Sequence, residues 1–325
     1  MVSRRGLAID GVLLLDKPAG LSSNHALQRA RRILNARKAG HTGTLDPFAT
    51  GLMVLCFGEA TKYSAGMFEA DKRYLATLQL GHETDSGDVT GTPLHEPGSV
   101  VADVATVRSR LADDAALHAV LSRFTGTMAQ VPPMYSALKR DGKPLYAYAR
   151  QGIELEREPR QVTIHDLVMR GRDVAAGQLV LEVSCSKGTY VRTLAQDIGR
   201  ALGLGAHLVG LRRLSTAGFV LEQAATLEQL EALANPQSAL HPVESLLQAM
   251  PVAGLDADTA RRFSLGQTVP APAEWVGRRA GGHPQDARTL VRVHAPDQHF
   301  LGTACLAGKW LKPDRLMAFN KESST

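Results

Sequence analysis

The sequence predicts an α+β fold, with a central mixed, mostly antiparallel sheet followed by a small β-rich domain at the C-terminal end. Strand and helix patterns are interspersed along residues 1–249, and several strand patterns follow one another directly. Adjacent strands without a helix between them favour antiparallel pairing over a doubly wound sheet. From about residue 250 glycine and proline become frequent and short apolar runs predominate, which indicates a second domain over 250–325.

A buried strand and an amphipathic helix are predicted near the N-terminal end. The apolar run "GVLLLDKP" (11–18) has the length of a strand and stops at Pro18. Residues 21–40 then carry apolar side chains at helical spacing, after serines that can cap a helix. We expect this helix to continue to Gly40, with cations in its last turn where they suit the helix dipole.

The middle of the chain contains further strand and helix patterns, and short strands return at the C-terminal end. The predicted strands are "LMVLCFGEATK" (52–62), "KRYLATLQLG" (72–81), "QVTIHDLVM" (161–169), "QLVLEVSCSKG" (178–188), "ARTLVRVHA" (287–295), "HFLGTACLAG" (299–308) and "KWLKPDRLMAF" (309–319). The predicted helices cover 103–124 and 189–205. The polar segment 82–91 lacks the ligand spacing of a calcium loop, which excludes that kind of site.

A segment of unusual composition covers residues 128–152. It combines prolines, tyrosines and cations with little apolar periodicity. We interpret it as a long ordered loop that ends in a short helix. Long loops inside compact domains usually carry function, so this segment is a candidate binding element.

Composition excludes several classes of protein. Apolar residues make up 44% and charged residues 21% of the 325 positions, as in ordinary globular proteins. The three cysteines are isolated in sequence, which fits a reducing cytoplasm better than a disulfide framework. The N-terminal apolar run is too short for a signal peptide, and no run has the length of a membrane span. We therefore expect a cytoplasmic protein.

Positive charge is concentrated at the N-terminal end. Residues 1–40 contain eight lysines and arginines against two aspartates, although the whole chain carries a net charge of only +5. Such a basic segment suggests a polyanionic partner. A solvated helix face would give the same pattern, and charge alone does not distinguish the two.

The stretch "AGHTGTLDPFATG" (39–51) places one carboxylate, Asp46, among small residues and directly before Pro47. An aspartate before proline commonly begins a turn. The alternative is a carboxylate nucleophile, which needs a partner that keeps it ionised and oriented. Arg192, at a predicted strand-to-helix junction, is a candidate for that partner, because arginine keeps its charge. Sequence spacing leaves this pairing open.

Four other side chains are candidates for a site, and three of them allow two interpretations each. Tyr74 and Tyr190 are either core or edge residues of the fold or platforms on which a base stacks. His41 has no histidine or cysteine at ligand spacing, so a hydrogen-bonding or stacking role is favoured over a metal site. Leu211 has the pattern of an ordinary core residue.

Six long blocks, in order and in register, resemble the TruB family of bacterial tRNA pseudouridine synthases. The blocks are "GVLLLDKPAGLSSN" (11–24), "AGHTGTLDPFATGLMVLCFGEATK" (39–62), "DKRYLATLQLG" (71–81), "VPPMYSALKRDGKPLYAYARQG" (131–152), "CSKGTYVRTLAQDIG" (185–199) and "GAHLVGLRRLS" (205–215). The resemblance implies a pseudouridine-synthase fold with a PUA-like C-terminal domain. It also implies isomerisation of uridine 55 in the T-loop of tRNA, with residues 124–152 as an RNA-binding region.

The resemblance also implies roles for the candidate residues. Asp46 aligns with the catalytic nucleophile and Arg192 with its ion-pair partner. Tyr74 aligns with the aromatic that stacks on the target base, and it is a candidate for proton transfer. Three further side chains align with residues that line the substrate site: His41, Tyr190 and Leu211. The reaction needs no metal and no cofactor.

We expect the enzyme to act on the T-stem-loop of tRNA as a monomer, with no protein partner and no membrane. Two alternatives are a tRNA-binding folding chaperone with incidental catalysis, and a guide-RNA-dependent relative that acts in a multi-protein particle. Conversion of an isolated T-loop hairpin by the purified chain would exclude the second.

Overall fold

The computed structural model describes residues 6–94, 100–275 and 289–318. Arg4 and Arg5 of the basic segment, and residues 287–288 and 319 of two predicted strands, lie outside the described residues. The strands are β1 Gly11–Lys17, β2 Ala39–His41, β3 Thr50–Phe57, β4 Lys72–Leu80, β5 Gly126–Gln130, β6 Lys139–Arg140, β7 Lys143–Pro144, β8 Arg160–Asp173, β9 Gln178–Cys185, β10 Ala206–Thr216, β11 Phe219–Val220, β12 Val252–Gly254, β13 Val269–Pro270, β14 Thr289–His294, β15 Phe300–Ala307 and β16 Trp310–Leu316. The helices are α1 Ser23–Ile33, α2 Val104–Ala112, α3 Asp114–Leu121, α4 Leu145–Ala149, α5 Val191–Ala201, α6 Leu227–Ala232 and α7 Ala257–Ser264.

A nine-stranded sheet forms the centre of the molecule. Its main path runs β1-β3-β10-β4-β9-β8-β5, with β2 added to β3 and β11 added to β10. The strand pairs are antiparallel apart from β3 and β10, which run parallel where Gly51 lies opposite Arg213. The predicted mixed, mostly antiparallel sheet is confirmed.

Helices α2, α3 and α5 cover one face of this sheet. Along β4 the buried positions alternate from Tyr74 to Leu80, as expected for a strand with one buried face. These side chains pack with buried residues of the three helices into one apolar core. The same core contains Leu45 and Ala49, which flank Asp46 in the sequence. The loop that carries this aspartate is therefore held by the main core.

Helix α1 ends earlier than the sequence predicts, at Ile33 rather than at Gly40. Asn35 adopts a left-handed backbone with φ of 49°. The amide of Ala36 then donates to the carbonyl of Arg31 at 2.9 Å, which closes the helix in a Schellman-type turn. Strand β2 then begins at Ala39, so Gly40 is a strand residue.

Two other predicted segments are more finely divided than expected. The helix predicted over 103–124 is two helices, because the side chain of Asp113 accepts a hydrogen bond from the amide of Ala116 and starts α3. The segment 124–152 is only partly a loop, since β5 forms the edge of the central sheet and β6, β7 and α4 follow. In the part of the chain that the structure describes, no helix has the length and apolar character needed to cross a membrane.

The C-terminal part forms a separate five-stranded sheet in the order β12-β14-β15-β16-β13, which confirms a β-rich C-terminal domain. Helix α7 packs on this sheet through Phe263 and was not predicted, because the glycines and prolines around it dominate the local composition. Phe300 contacts Tyr63 of the central part with ring centroids 5.8 Å apart. The Tyr63 hydroxyl also donates to the carbonyl of Arg315 at 3.2 Å. The boundary at 249/250 stays a prediction.

Substitution of Gly51 tests the parallel junction between β3 and β10. Gly51 has φ of 101°, and a Cβ there would lie 2.4 Å from the carbonyl oxygen of Arg213. Gly51→Ala should therefore lower the free energy of unfolding by about 3 kcal/mol, from backbone strain and overpacking together. Gly20→Ala is the control, because Gly20 has φ of 83° but open space around it. Urea unfolding measures both, and equal losses would contradict the close approach at Gly51.

Candidate active site

Asp46 lies in the loop between β2 and β3, and hydrogen bonds fix this loop on both sides of it. The hydroxyl of Ser23, the first residue of α1, accepts from the Leu45 amide at 2.8 Å and donates to the Leu45 carbonyl at 2.9 Å. The amide of Ala49 donates to the Asp46 carbonyl at 3.1 Å, and the Pro47 carbonyl accepts from Gly20 at 2.8 Å. Asp46 is thus a turn residue whose side chain, 33% exposed, remains accessible.

Arg192 forms an ion pair with Asp46. Its Nε lies 2.9 Å from Asp46 Oδ2, and its Nη2 lies 3.5 Å from Oδ1. Arg192 is the second residue of α5, and its side chain is only 5% exposed. The start of the helix is fixed by Gln130 of β5, whose side chain accepts from the Tyr190 amide at 2.8 Å and donates to the Tyr190 carbonyl at 3.1 Å.

The other nitrogens of the Arg192 guanidinium also have acceptors. Nη1 donates to the carbonyl of Ser86 at 2.8 Å, and Nη2 donates to the carbonyl of Tyr135 at 2.6 Å. A second carboxylate, Asp88, lies 3.5 Å from Nη1. Because all three nitrogens are engaged, the guanidinium has one defined orientation toward Asp46.

Sequence reasoning missed Asp88. It belongs to the polar segment 82–91, whose spacing excludes a calcium loop and predicts no other role. Its Oδ1 accepts hydrogen bonds at 2.9 Å from the Ser86 hydroxyl and from the Thr90 amide, so the buried carboxylate is held in place. The signal available in the sequence was an acidic loop close after a strand that carries Tyr74, which is weak without coordinates.

Opposing influences act on the Asp46 carboxyl. Burial raises its pKa above the ordinary value of 3.8, and the positive charge of Arg192 opposes that shift. The charge of Asp88 raises the pKa further, whereas the charge of Lys17 lowers it. The protonation of this one carboxyl therefore depends on three neighbouring charges.

Lys17 belongs to the basic N-terminal segment but does not lie on the surface. It is completely buried at the end of β1. Its Nζ donates to the carbonyls of Pro18 at 2.8 Å and Leu21 at 2.7 Å, and lies 3.4 Å from the carbonyl of Pro47. Burial lowers its pKa to about 8. Although the basic segment as a whole suggests a polyanionic partner, Lys17 is not available to one, because its side chain is completely buried.

Tyr74 and Leu211 lie on neighbouring strands and share the core cluster that contains Leu45. Each is 9% exposed. Arg213 of β10 lies opposite Tyr74, is buried, and donates from Nε to the carbonyl of Leu52 at 2.6 Å. Burial raises the pKa of the Tyr74 phenol, and the charge and hydrogen bond of Arg213 act in the opposite direction. Sequence reasoning missed Arg213 because a strand pattern does not reveal a buried cation.

His41 and Tyr190 complete the set of predicted residues. Burial and the charge of Arg213 lower the pKa of His41 below 6.5, which favours the neutral ring. Its Nδ1 is buried and has no hydrogen-bond partner among the described residues. Burial raises the pKa of Tyr190, and the Asp46 charge adds to the shifts of both Tyr190 and Tyr74. The structure thus groups both tyrosines around Asp46.

Comparison with known proteins gives the family. Residues 31–191 match the model of the "TruB family pseudouridylate synthase (N terminal domain)". Residues 192–248 match a tRNA pseudouridylate synthase B C-terminal domain, and residues 251–317 match a C-terminal domain of pseudouridine synthase II TruB. The chain is 50% identical over 314 residues to tRNA pseudouridine synthase B of Cupriavidus metallidurans, covering 95% of this chain and 94% of that protein. The chain belongs to the TruB family.

A second relative and two solved structures extend the comparison of this TruB member. It is 60% identical over 246 residues to tRNA pseudouridine synthase B of Bordetella pertussis, covering 76% of this chain and 97% of that protein. A crystal structure of a Cbf5-Nop10-Gar1 complex matches with a TM-score of 0.66 at 23% identity, covering 94% of this chain and 84% of that one. An H/ACA RNP bound to a substrate RNA containing 2'-deoxyuridine matches with a TM-score of 0.66 at 20% identity, covering 96% and 86%. These structures confirm the pseudouridine-synthase fold.

The buried charge of Lys17 predicts a pH-dependent stability in this TruB member. The pKa of Lys17 is about 8 in the folded protein, compared with the ordinary value of 10.5, which applies to the unfolded chain. The unfolded chain therefore binds this proton more tightly. The cost of burying the charge is fully present below pH 8 and disappears as the pH rises toward 10.5. Between pH 7 and pH 10 the wild type should gain about 2–3 kcal/mol relative to Lys17→Met in urea unfolding.

Exposed Lys312 supplies the control for this measurement. Lys312→Met should keep a constant offset from the wild type over the same pH range. A constant offset for Lys17→Met as well would show that the Lys17 charge is not desolvated.

Proposed function

We propose that this TruB member isomerises uridine 55 in the T-loop of tRNA to pseudouridine, with Asp46 as the nucleophile. The single observation that carries the proposal is the carboxylate of Asp46, accessible at a loop tip and paired with the buried guanidinium of Arg192 at 2.9 Å. The curated relatives at 50% and 60% identity carry the name tRNA pseudouridine synthase B.

The reaction breaks the bond between the ribose C1′ and N1 of uracil and forms a bond from C1′ to C5. N1 gains a proton and C5 loses one, so atoms and electrons balance without a redox partner or an external group. A carboxylate that bonds transiently to the substrate divides this rearrangement into easier steps. Attack on the ribose carbon and attack on the uracil ring both leave the same final step, removal of the proton from C5.

Arg192 keeps the nucleophile ready in this proposal. Its positive charge opposes the effect of burial on the Asp46 carboxyl, and its fixed orientation directs the carboxylate oxygens. Asp88 shares the guanidinium at 3.5 Å and thereby limits how strongly Arg192 neutralises Asp46. A carboxylate that is ionised but not fully neutralised is the more reactive nucleophile.

The remaining site residues receive the base. A uridine inside a folded loop must leave its stack to reach Asp46, at a cost of about a few kcal/mol. We assign Tyr74 to stacking on the extruded base and Leu211 to apolar contact with it. Tyr74 is also the candidate that takes the C5 proton. We assign the neutral ring of His41 to the space that the base leaves, and Tyr190 to lining the substrate site.

RNA binding is assigned to exposed cations and to residues 124–152. Arg32, Arg37 and Lys38 are exposed and suit phosphate contacts, which position an RNA without reading its sequence. In α4 the Tyr146 ring is exposed, and the Arg150 guanidinium lies 5.4 Å from its centroid. We further propose that the enzyme acts in the cytoplasm as a monomer, without a metal, a cofactor or a protein partner.

Asp46→Asn is the direct test of the nucleophile. The amide keeps the size of the side chain but cannot form the covalent bond, so conversion of uridine in a T-stem-loop RNA should be abolished. Binding of the same RNA should stay within a few-fold of wild type. Pseudouridine formation by this variant would overturn the assignment. If the wild type helps tRNA to fold but converts no uridine, the chaperone alternative is favoured.

The pH dependence of conversion tests the charges around Asp46. The rate should fall as the pH drops through the pKa of Asp46, because only the ionised carboxyl attacks. Asp88→Asn removes a charge that raises this pKa and should move the acid limb to lower pH. Lys17→Met removes a charge that lowers it and should move the limb to higher pH. Single-turnover rates from acidic to neutral pH measure both shifts, and a common direction would refute the electrostatic account.

A further inference from the structure

Three loops meet at the Arg192 guanidinium. The catalytic loop (42–49) contributes the Asp46 carboxylate at 2.9 Å. The acidic loop (84–92) contributes the Ser86 carbonyl at 2.8 Å and the Asp88 carboxylate at 3.5 Å. The RNA-binding region (124–152) contributes the Tyr135 carbonyl at 2.6 Å. The third contact is unexplained by the reaction itself, since no step needs an acceptor from this region.

Tyr135 makes two bonds in opposite directions. Its carbonyl accepts from Arg192, and its phenol donates to Asp85 Oδ2 at 3.2 Å. The other carboxylate oxygen of Asp85 accepts from the Thr92 amide at 2.8 Å, which holds Asp85 within the acidic loop. Tyr135 therefore joins the RNA-binding region to the acidic loop and to Arg192 at the same time.

The chemistry of the contact favours a lasting bond. Burial and the negative charge of Asp85 raise the pKa of the Tyr135 phenol, which keeps its proton available for donation. A hydrogen bond to a charged acceptor is stronger than one between neutral groups. The phenol thus adds a side-chain anchor to the residue whose carbonyl makes the shortest contact of Arg192 among the described hydrogen bonds.

We propose that Tyr135 is a positioning residue: the bond from its phenol to Asp85 seats the RNA-binding region so that its carbonyl holds Arg192 against Asp46. The inference rests on the proposed function. It extends that function, because the region proposed to bind tRNA also positions Arg192, the ion-pair partner of Asp46. The position that the RNA-binding region takes when it binds RNA thereby affects the ionisation of Asp46.

Tyr135→Phe tests the inference, because it removes only the hydroxyl. The rate constant of conversion at saturating T-stem-loop RNA should fall about five- to tenfold, the effect of one ordinary hydrogen bond, because the bond to Asp85 is exposed to solvent. The dissociation constant for the RNA should change less than twofold. The acid limb of the pH profile should move to higher pH, because a loosened Arg192 opposes the protonation of Asp46 less.

Tyr63→Phe is the matched control. It removes a hydroxyl that donates to a carbonyl over the same 3.2 Å, at the contact with the C-terminal domain and away from the site. Rate, affinity and pH profile should match the wild type. A similar loss of rate in this control would mean that the effect of Tyr135→Phe is one of general stability, and would overturn the inference.

Asp85→Ala alone keeps the inference falsifiable if Tyr135→Phe folds poorly, because it removes the same bond from the acceptor side. Where both variants fold, the two changes form a double-mutant cycle. Asp85 is exposed, so its substitution leaves the core intact. Asp85→Ala should reproduce the loss of rate, and the double variant should lose no more than either single one. Additive losses would show that the two side chains act separately.

The outcomes separate this inference from the proposed function. If Asp46→Asn is inactive but Tyr135→Phe converts at the wild-type rate, only the positioning role fails. If Tyr135→Phe weakens RNA binding and leaves the saturated rate unchanged, Tyr135 contacts RNA instead of positioning Arg192, and the inference is overturned. If Asp46→Asn still converts uridine, the proposed nucleophile itself fails.

Discussion

The pairing of Asp46 with a buried Arg192 is the constraint on which the rest of the site depends. A guanidinium that is 5% exposed must have its nitrogens satisfied, since an unpaired buried charge is costly. The structure meets this demand with carbonyls and carboxylates from three loops, which converge on one point for that reason. The geometry of the Asp46 carboxylate is thus a consequence of how the protein accommodates one buried cation.

The same demand shapes the surroundings. Two further cations of the site are buried: Lys17, whose charge acts on Asp46, and Arg213, which lies opposite Tyr74. Each donates to the backbone, Lys17 to the carbonyl of Leu21 and Arg213 to that of Leu52. Those carbonyls belong to Leu21, at the turn before α1, and to Leu52 of β3, so charge satisfaction also fixes the elements that flank the catalytic loop. The parallel contact of β3 with β10 brings Gly51 close to the Arg213 backbone and leaves no room for a side chain. Glycine at this position follows from the sheet, not from the chemistry.

Strand positions and the C-terminal β-rich domain were predictable because alternation and apolar runs are local properties. The end of α1 was not, because a single left-handed residue, Asn35, stops the helix while the apolar pattern continues. Helix α7 was not predicted either, but for the opposite reason. Its capped, amphipathic sequence lies inside a stretch whose glycines and prolines suggest loops. The buried state of Lys17 was also hidden, because a lysine after an apolar strand has the pattern of a surface cation.

The sequence by itself determined the family, the mixed sheet and the candidate residues, because these depend on residue types in fixed order. Only the tertiary structure decided which of those residues meet. Asp46 and Arg192 are separated by 146 positions, and their contact depends on the catalytic loop and α5 being packed on one core. The tertiary structure likewise identified three residues that the sequence did not indicate: Asp88, Arg213 and Tyr135. Their importance lies in distance and burial, and neither quantity is encoded in local sequence.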